Sequence, residues 1–182
     1  MPLGVLPVRI IAGRWRGHRL KGLKGKGVRP TTDRVREAWM ASLGVELEGA
    51  RILDLFAGSG ALGLEALSRG AREVVFVERA RGALATLQAN VRLLGAEDEC
   101  RVVRGDAMAY ARGLEPGAFE LALADPPYDR GLAGGLVELF RARAFADALW
   151  VEHRTAEIIP AQEGLRQRRY GDTTITIVTR GE

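Results

Sequence analysis

From residue 51 onward, short apolar runs alternate with longer segments of helical periodicity, and this alternation limits the possible folds more than any other feature. The apolar runs predict strands at 51–56, 73–78, 101–104, 119–124 and 149–152. Helices are predicted between them at 61–69, 79–94 and 132–145, with a short one ending near Gly113. Because repeated βα units return to one sheet through right-handed crossovers, they predict a parallel, doubly wound α/β sheet.

The C-terminal stretch has a different pattern. Residues 166–170 and 173–179 flank Gly171-Asp172, which predicts two antiparallel strands joined by a tight turn. Together with the five parallel strands, they predict a mostly parallel seven-stranded sheet with an antiparallel C-terminal hairpin. A plain dinucleotide-binding domain does not close in this way.

Length and composition exclude several classes of protein. The 182 residues suffice for one well-packed domain and a small appendage. No apolar run approaches the roughly 18 residues of a membrane span, and the proline-broken start is too short for a signal peptide. Cys100 is the only cysteine, which excludes an internal disulfide and argues against a cysteine-based zinc site. We therefore expect a cytoplasmic protein with no membrane partner and no metal.

Charge is distributed unevenly along the chain. Residues 1–36 hold ten cations and one acid, a net charge of +9, whereas the rest of the chain carries −5 and the whole chain +4. A basic segment on an acidic body favours a polyanionic partner, although a solvated basic tail is the simpler alternative. We expect a basic arm and linker at 1–29 and a main domain at 30–182.

Within the basic segment, residues 8–20 alternate apolar and basic side chains around two glycines, which predicts a short hairpin. A ribbon with arginines on one face and a tryptophan available for stacking suits nucleic acid. The predicted nucleic-acid contacts are Arg9, Arg14, Trp15, Arg16, Arg19, Lys21, Arg29 and Arg34. Further on, Pro30-Thr31-Thr32-Asp33 predicts the start of a helix, with Thr or Asp as its cap.

A glycine-rich loop follows the first strand of the main domain. Gly58-Ser59-Gly60-Ala61-Leu62-Gly63 fits the G-x-G-x-x-G pattern, whose glycines allow a tight turn and a close ligand approach. By itself, this loop could equally hold NAD. Acids lie at or near the ends of the first three strands, and they suit a cationic group (Asp54), ribose hydroxyls (Glu78) and an adenine amino group (Asp106). Together they predict an adenosine-containing ligand, although each acid alone could be solvated.

The residues Asp125-Pro126-Pro127-Tyr128 directly follow the fourth strand. Two prolines cannot continue a sheet ladder, so the chain turns away at the strand end where α/β proteins bind ligands. The Asp125 carboxylate and the Pro126 carbonyl could accept both N–H groups of an exocyclic amine, with Tyr128 stacked on the base. These out-of-plane acceptors would free the nitrogen lone pair for attack on an electrophile. The alternative is an Asp-initiated turn without chemistry.

These motifs resemble those of a known superfamily. The segment 54–60 resembles the first motif of class I S-adenosylmethionine-dependent methyltransferases, and 125–128 resembles the signature of those that methylate exocyclic amines. The N-terminal segments 9–17 and 29–37 are similar to those of the bacterial RsmD family, which methylates guanine N2 at one position in 16S ribosomal RNA. The resemblance covers nearly the whole chain.

The resemblance implies a Rossmann-like class I methyltransferase fold and S-adenosylmethionine as cofactor. The implied cofactor contacts are Asp54, Phe56, Ala57, Gly58, Gly60, Glu78, Arg79, Asp106 and Ala107. The implied catalytic residues are Asp125, Pro126, Pro127 and Tyr128, which would hold the base, while residues 31–36 would close over cofactor or target. The expected partner is ribosomal RNA within the small subunit or an assembly intermediate, bound by a monomer.

Three alternatives remain at this point. Adenine N6 in DNA or RNA is the nearest, because the turn at 125–128 serves both bases. A nicotinamide-dependent oxidoreductase would use the same glycine loop but leaves this turn without a role. A noncatalytic RNA-binding factor would not need the intact set of acids.

Overall fold

The computed structural model describes residues 8–23 and 33–181, and only the backbone of Asp33 and Arg34. Two short strands, β1 (Val8–Arg9) and β2 (Arg19–Leu20), pair antiparallel and confirm the predicted N-terminal hairpin. Helix α1 (Asp33–Leu43) follows, and a 3₁₀ turn at Gly44–Leu47 leads into the sheet. The predictions for Arg29, for the Thr31–Thr32 cap and for the side chain of Arg34 lie outside what the structure describes.

The main body alternates strands and helices as the sequence predicts. Its elements are β3 (Arg51–Leu55), α2 (Ala61–Ser68), β4 (Glu73–Glu78), α3 (Arg81–Leu93), β5 (Cys100–Arg104), α4 (Ala107–Arg112), β6 (Phe119–Ala124), α5 (Leu132–Arg143), β7 (Ala146–Arg154), β8 (Leu165–Tyr170) and β9 (Thr173–Thr179). The strand order is β5-β4-β3-β6-β7-β9-β8. The first five strands are parallel, and β9 and β8 join antiparallel. The predicted Rossmann-like, doubly wound sheet with its closing hairpin is confirmed.

One predicted element differs clearly from the observed one. The fifth strand, predicted at 149–152, extends over Ala146–Arg154 because it pairs with β6 on one side and with β9 on the other. The preceding helix stops two residues before its predicted end at 145. There Ala144 adopts a left-handed conformation, with φ of 45°, and Phe145 is buried.

Apolar side chains form two layers, one on each face of the sheet. The first layer joins the inward residues of the hairpin, α1, α2 and α3 to strand residues such as Ile52, Phe76 and Trp150. The second joins α4 and α5 to strand residues such as Leu53 and Val151. Alternate side chains of each strand therefore enter opposite layers, as a doubly wound sheet requires.

The N-terminal hairpin packs on the body of the protein. Val8, Ile10 and Leu20 are buried in the first apolar layer. The buried Glu65 of α2 accepts the backbone N–H groups of Ile11 and Ala12 at 2.8 and 3.0 Å. The division into an arm at 1–29 and a domain at 30–182 stays a prediction.

A positive φ at the hairpin tip fixes how the hairpin sits. Gly13 has φ of +83°, and a Cβ there would lie 1.7 Å from the carbonyl oxygen of Ser68. The next residue, Arg14, donates its backbone N–H to that oxygen at 2.8 Å. Only glycine permits this approach of hairpin to helix.

Within the described residues, no helix combines the length and apolar character that a membrane crossing requires.

Candidate active site

The carboxyl ends of β3 to β7 meet at one edge of the sheet, here called the carboxyl edge. Open α/β sheets bind ligands at this edge, near the point where the strand order reverses. Here the reversal falls between β3 and β6. The predicted cofactor loop follows β3 and the predicted base-holding turn follows β6, so the fold brings the two motifs to neighbouring strands.

The glycine loop takes a conformation that suits glycine. Gly58 and Gly60 have φ of 56° and 82°, and Phe56 shares the left-handed region with φ of 59°. A Cβ on Gly60 would lie 2.3 Å from Leu87, and one on Gly63 would lie 2.4 Å from Phe76. These glycines therefore let helix α2 pack closely against α3 and β4, as in dinucleotide-binding loops.

Asp54 lies beneath the glycine loop, buried from solvent. Its Oδ2 accepts the Gly63 N–H at 2.9 Å, so it caps the first turn of α2, which has no capping side chain of its own. The pKa of Asp54 is raised to about 8, chiefly by burial; the Gly63 hydrogen bond opposes this rise, and the neighbouring carboxylates Asp125 and Glu78 add to it. A cationic ligand bound here would favour the ionised form of Asp54 and offset the charge of the neighbouring carboxylates.

Backbone N–H groups also hold the second acid. Glu78 accepts the N–H of Gly58 at 2.9 Å through one oxygen, and those of Arg79 and Ala80 at 2.8 Å through the other. It therefore ties the glycine loop to the start of α3. This arrangement fixes the carboxylate at the rim of the predicted ribose site.

The third acid begins a helix. Asp106 caps α4 by accepting the Ala109 N–H at 2.9 Å, and Arg79 lies 3.9 Å from its other oxygen. Ala107, the first residue of α4, is buried behind it. The half-exposed Asp106 carboxylate keeps access to a ligand at the carboxyl edge.

The turn after β6 places Asp125 beside the cofactor acids. Pro126 is buried and Pro127 exposed, so the chain leaves the sheet immediately after Ala124. Asp125 is partly exposed and close enough to Asp54 to raise its pKa. The base-holding turn and the cofactor acids therefore face one common site.

Tyr128 is held by residues that the sequence analysis did not assign to the site. Its hydroxyl donates to the Glu152 Oε1 at 2.7 Å and lies 3.4 Å from the Thr173 Oγ1. The Arg154 guanidinium lies 5.3 Å from the centre of its ring. Burial and the neighbouring Glu152 and Asp125 raise the pKa of Tyr128, so it stays a neutral phenol. The only sequence feature that pointed to this contact was the position of Glu152, a glutamate at the end of the apolar strand run 149–152.

The predicted nucleic-acid contacts at the hairpin tip lie away from the carboxyl edge. The hairpin tip, residues 13–16, packs at the end of α2, and Arg14 pairs with Glu99, which directly precedes β5. The tip is therefore near the edge where the parallel strands begin, opposite the carboxyl edge. The Arg14 guanidinium covers the Trp15 ring at 3.9 Å, so one face of this predicted stacking group is occupied. Arg9, Arg16, Arg19 and Lys21 are exposed.

The base of the hairpin reaches the glycine loop. The buried Asn90 of α3 bonds both backbone groups of Lys21 and donates to the Ser59 carbonyl at 2.9 Å. Leu23 lies two residues further along the chain, and a Cβ on Gly58 would lie 3.3 Å from it. The hairpin thus contacts the predicted cofactor site at its base and the opposite edge of the sheet at its tip.

Among the described residues, no three His, Cys, Asp or Glu side chains form a group that could hold a metal ion.

Comparison with known proteins assigns the chain to a protein family. It matches the family described as conserved hypothetical protein 95 over residues 8–179. The chain belongs to this family. It is 34% identical over 179 residues to the YlbH protein of Bacillus subtilis strain 168, a match that spans 93% of this chain and 97% of YlbH.

Two comparisons with Escherichia coli support the family assignment. The chain is 43% identical over 133 residues to ribosomal RNA small subunit methyltransferase D of strain K12, which covers 72% of this chain and 66% of that protein. The solved structure of E. coli yhhF superposes with a TM-score of 0.81 at 36% identity, covering 96% of this chain and 98% of that one. The resemblance to the RsmD family is therefore confirmed.

Proposed function

We propose that the chain transfers a methyl group from S-adenosylmethionine to the exocyclic N2 of a guanine in 16S ribosomal RNA. One observation carries the proposal: the base-holding turn follows β6, which pairs with β3 in front of the glycine loop, and Asp125 and Glu78 are both near enough to Asp54 to raise its pKa. This arrangement brings an amine-binding group and a cation-binding group to neighbouring strands. The kinship with a small-subunit ribosomal RNA methyltransferase supports the choice of RNA.

The residues at the carboxyl edge fit the cofactor. S-adenosylmethionine supplies a methyl group that its sulfonium charge already activates for transfer. Asp54, when ionised, would provide negative charge for that cation, and Glu78 and Asp106 would provide acceptors at the rim for the ribose and the base. The remaining predicted contacts are Phe56, Ala57, Gly58, Gly60, Arg79 and Ala107.

Catalysis in this proposal consists of positioning and electrostatic support. The Asp125 carboxylate and the Pro126 carbonyl accept the two N–H groups of the guanine amine, and the Tyr128 ring packs on the base. The nitrogen lone pair would then point away from both acceptors and toward the methyl carbon of the cofactor, so that the nitrogen–carbon bond would form as the carbon–sulfur bond breaks and S-adenosylhomocysteine leaves. As the nitrogen gains a bond, its surplus proton passes to Asp125, directly or through water. The target base must leave any stack or pair to reach this turn.

The proposal extends to the setting of the reaction. The enzyme acts as a monomer in the cytoplasm, on ribosomal RNA in the small subunit or in an assembly intermediate. Residues 1–29 form an arm that contacts RNA, with Arg9, Arg16, Arg19 and Lys21 exposed for phosphate binding.

A labelling experiment tests the reaction. Small ribosomal subunits from cells lacking the protein are incubated with S-adenosylmethionine labelled in its methyl group, and the modified nucleoside is identified and mapped. We expect label on N2 of one guanine in 16S ribosomal RNA. Label on adenine N6, or no label, would overturn the proposal, and a protein with Asp125→Ala serves as the inactive control.

A further inference from the structure

Strand β8 is an edge strand of the sheet and is unusually rich in exposed arginine. Residues 166–169, Arg-Gln-Arg-Arg, are all exposed. The pairing places Tyr170 opposite Thr173 of β9, which lies opposite Arg154 of β7. Because Thr173 lies 3.4 Å from the Tyr128 hydroxyl, the end of β8 reaches the surroundings of the base-holding turn.

Two of these arginines share the face of the sheet on which Tyr128 is bound. Arg168 pairs with Ile175, which lies opposite Glu152, the partner of the Tyr128 hydroxyl. Arg166 pairs with Ile177, two residues further from the carboxyl edge. Since alternate residues of a strand share a face, these two side chains lie about 7 Å apart at their Cα atoms on the Tyr128 side.

Among the residues that the structure describes, the two arginines have no acidic partner, in contrast to those whose charge is paired within the protein. Arg14, Arg51, Arg69, Arg154 and Arg180 each pair with a carboxylate within 4 Å. In the part of the chain that the structure describes, Arg166 and Arg168 form no such pair. Arg168 is instead positioned by the Ser42 hydroxyl and by the Trp150 ring, 5.9 Å from its guanidinium. Both charges stay available to an anion from outside the protein.

The hairpin tip cannot supply charge at this place, because it packs at the opposite edge of the sheet. An RNA strand whose base sits on Tyr128 could follow the surface past β7 and β9 or past the cofactor loop. On the first path it meets the Tyr128 face of β8.

We propose that Arg166 and Arg168 bind backbone phosphates of the RNA beside the target guanine, as a second RNA contact separate from the basic N-terminal segment. The inference rests on the proposed function and assigns part of its RNA-binding surface. Guanidinium groups suit phosphates because they offer several donors in one plane. Arginines on an edge strand can also protect it against edge-to-edge pairing with another chain. The test must therefore distinguish phosphate binding from edge protection.

The test compares Arg166→Gln/Arg168→Gln with a matched control that loses equal charge on the opposite face. Arg112→Gln/Arg143→Gln is suitable, because both residues are exposed at the ends of α4 and α5. Affinity for a 16S ribosomal RNA transcript is measured at several salt concentrations. The slope of log K against log salt should become shallower by about 1.4, at roughly 0.7 for each lost contact with single-stranded RNA. The control should keep the original slope, and cofactor affinity should be unchanged in both.

The single variant Arg166→Gln guards against a folding defect, because no hydrogen bond or ion pair of Arg166 occurs among the described residues. It should flatten the slope by about 0.7. An unchanged slope overturns the inference. If the variants then form oligomers, the arginines protect the edge strand. If the variants instead lose activity only on assembled particles, the arginines bind a protein partner. The slope of log K against log salt measures RNA binding only. Failure of the proposed function would be seen separately, because the unmodified protein would then transfer no methyl group.

Discussion

The two halves of the carboxyl edge hold their polar groups in different ways. In the cofactor half, Asp54, Glu78 and Asp106 accept backbone N–H groups from residues 9, 20 and 3 positions away in sequence. In the target half, Tyr128 bonds side chains 24 and 45 residues away. The first half is therefore organised by local backbone geometry, and the second by tertiary contacts between side chains.

This difference has a practical consequence for substitution. Substitutions other than proline leave the backbone N–H of a residue in place, so the cofactor acids should tolerate most changes around them. The orientation of the Tyr128 ring depends on two other side chains, each of which can be replaced. The two halves should therefore be separable, with cofactor affinity and turnover responding to different substitutions.

Asp125→Ala should separate the two halves most strongly. Loss of the acceptor for the target amine should lower turnover about 10²–10³-fold, the range found when one preorganised polar group is removed from an active site. Cofactor affinity should change less than about threefold, since the backbone contacts of Asp54 and Glu78 persist. Single-turnover methylation and calorimetric titration with S-adenosylmethionine check both values. Unchanged turnover would remove Asp125 from the mechanism.

Asp54→Asn should act on the cofactor half and abolish a pH dependence. In the native protein, the pKa of Asp54 near 8 means that its carboxyl ionises as the pH rises from 7 to 9, so affinity for the cationic cofactor should increase. The variant should show no such increase and bind about tenfold more weakly at pH 9, equivalent to roughly 1.4 kcal/mol. Titration with S-adenosylhomocysteine, which lacks the sulfonium charge, is the control and should depend less on pH.

The Asp54 carboxyl should also make the free energy of unfolding of the ligand-free protein depend on pH. Here the stability falls as the pH rises, whereas the cofactor affinity increases. The folded pKa of Asp54 is raised above the unfolded value near 4, so its contribution to the free energy of unfolding is full below pH 4 and is lost as the pH rises through about 8. Urea unfolding between pH 5 and pH 9 should show this loss in the native protein and a flatter profile in Asp54→Asn. Identical profiles would contradict the raised pKa.

Tyr128→Phe should affect the target half alone. It removes the hydroxyl that binds Glu152 but keeps the ring, so we expect turnover to fall roughly tenfold as the ring loses its fixed orientation, about the effect of one hydrogen bond to a charged group. Cofactor affinity should stay constant. If cofactor affinity fell as far as turnover, the two halves would not be separable.

Asp106→Ala should have the smallest effect. Loss of the α4 cap should cost about 1 kcal/mol in the free energy of unfolding, measured by urea titration. Asp106→Asn keeps a capping side chain and should restore that stability. If Asp106→Asn lowered the free energy of unfolding as much as Asp106→Ala does, the charge of Asp106, and not its capping hydrogen bond, would stabilise the protein.

The sequence predicts those parts of the molecule that depend on local pattern. The alternation of strands and helices, the glycine loop and both hairpins follow from periodicity and turn residues within short windows. The length of β7 does not, because its ends are extended by pairing with β6 and β9, which lie far away in sequence. The same holds for the site: acids at strand ends are visible in the sequence, whereas the bond between Tyr128 and Glu152 requires the register of the whole sheet.

The hairpin illustrates a further limit of local reasoning. Its alternation of apolar and basic residues predicts the ribbon but not where it packs. The apolar face of that alternation, with Val8, Ile10 and Leu20, enters the core. Its docking depends on Glu65 and Ser68, more than fifty residues further along the chain. A composition shift therefore marks the basic segment and does not show that it is built into the body.

The contacts of the hairpin also set an order of folding during synthesis. Residues 8–20 leave the ribosome before α2 does, and the helix that binds Ile11, Ala12 and Arg14 is complete only once Ser68 has been made. The most basic part of the chain therefore stays undocked while about fifty further residues are added, which at roughly 5–20 residues per second lasts several seconds. During that interval the arginines of residues 8–20 are not yet held against α2, while the chain is still attached to a particle that contains ribosomal RNA.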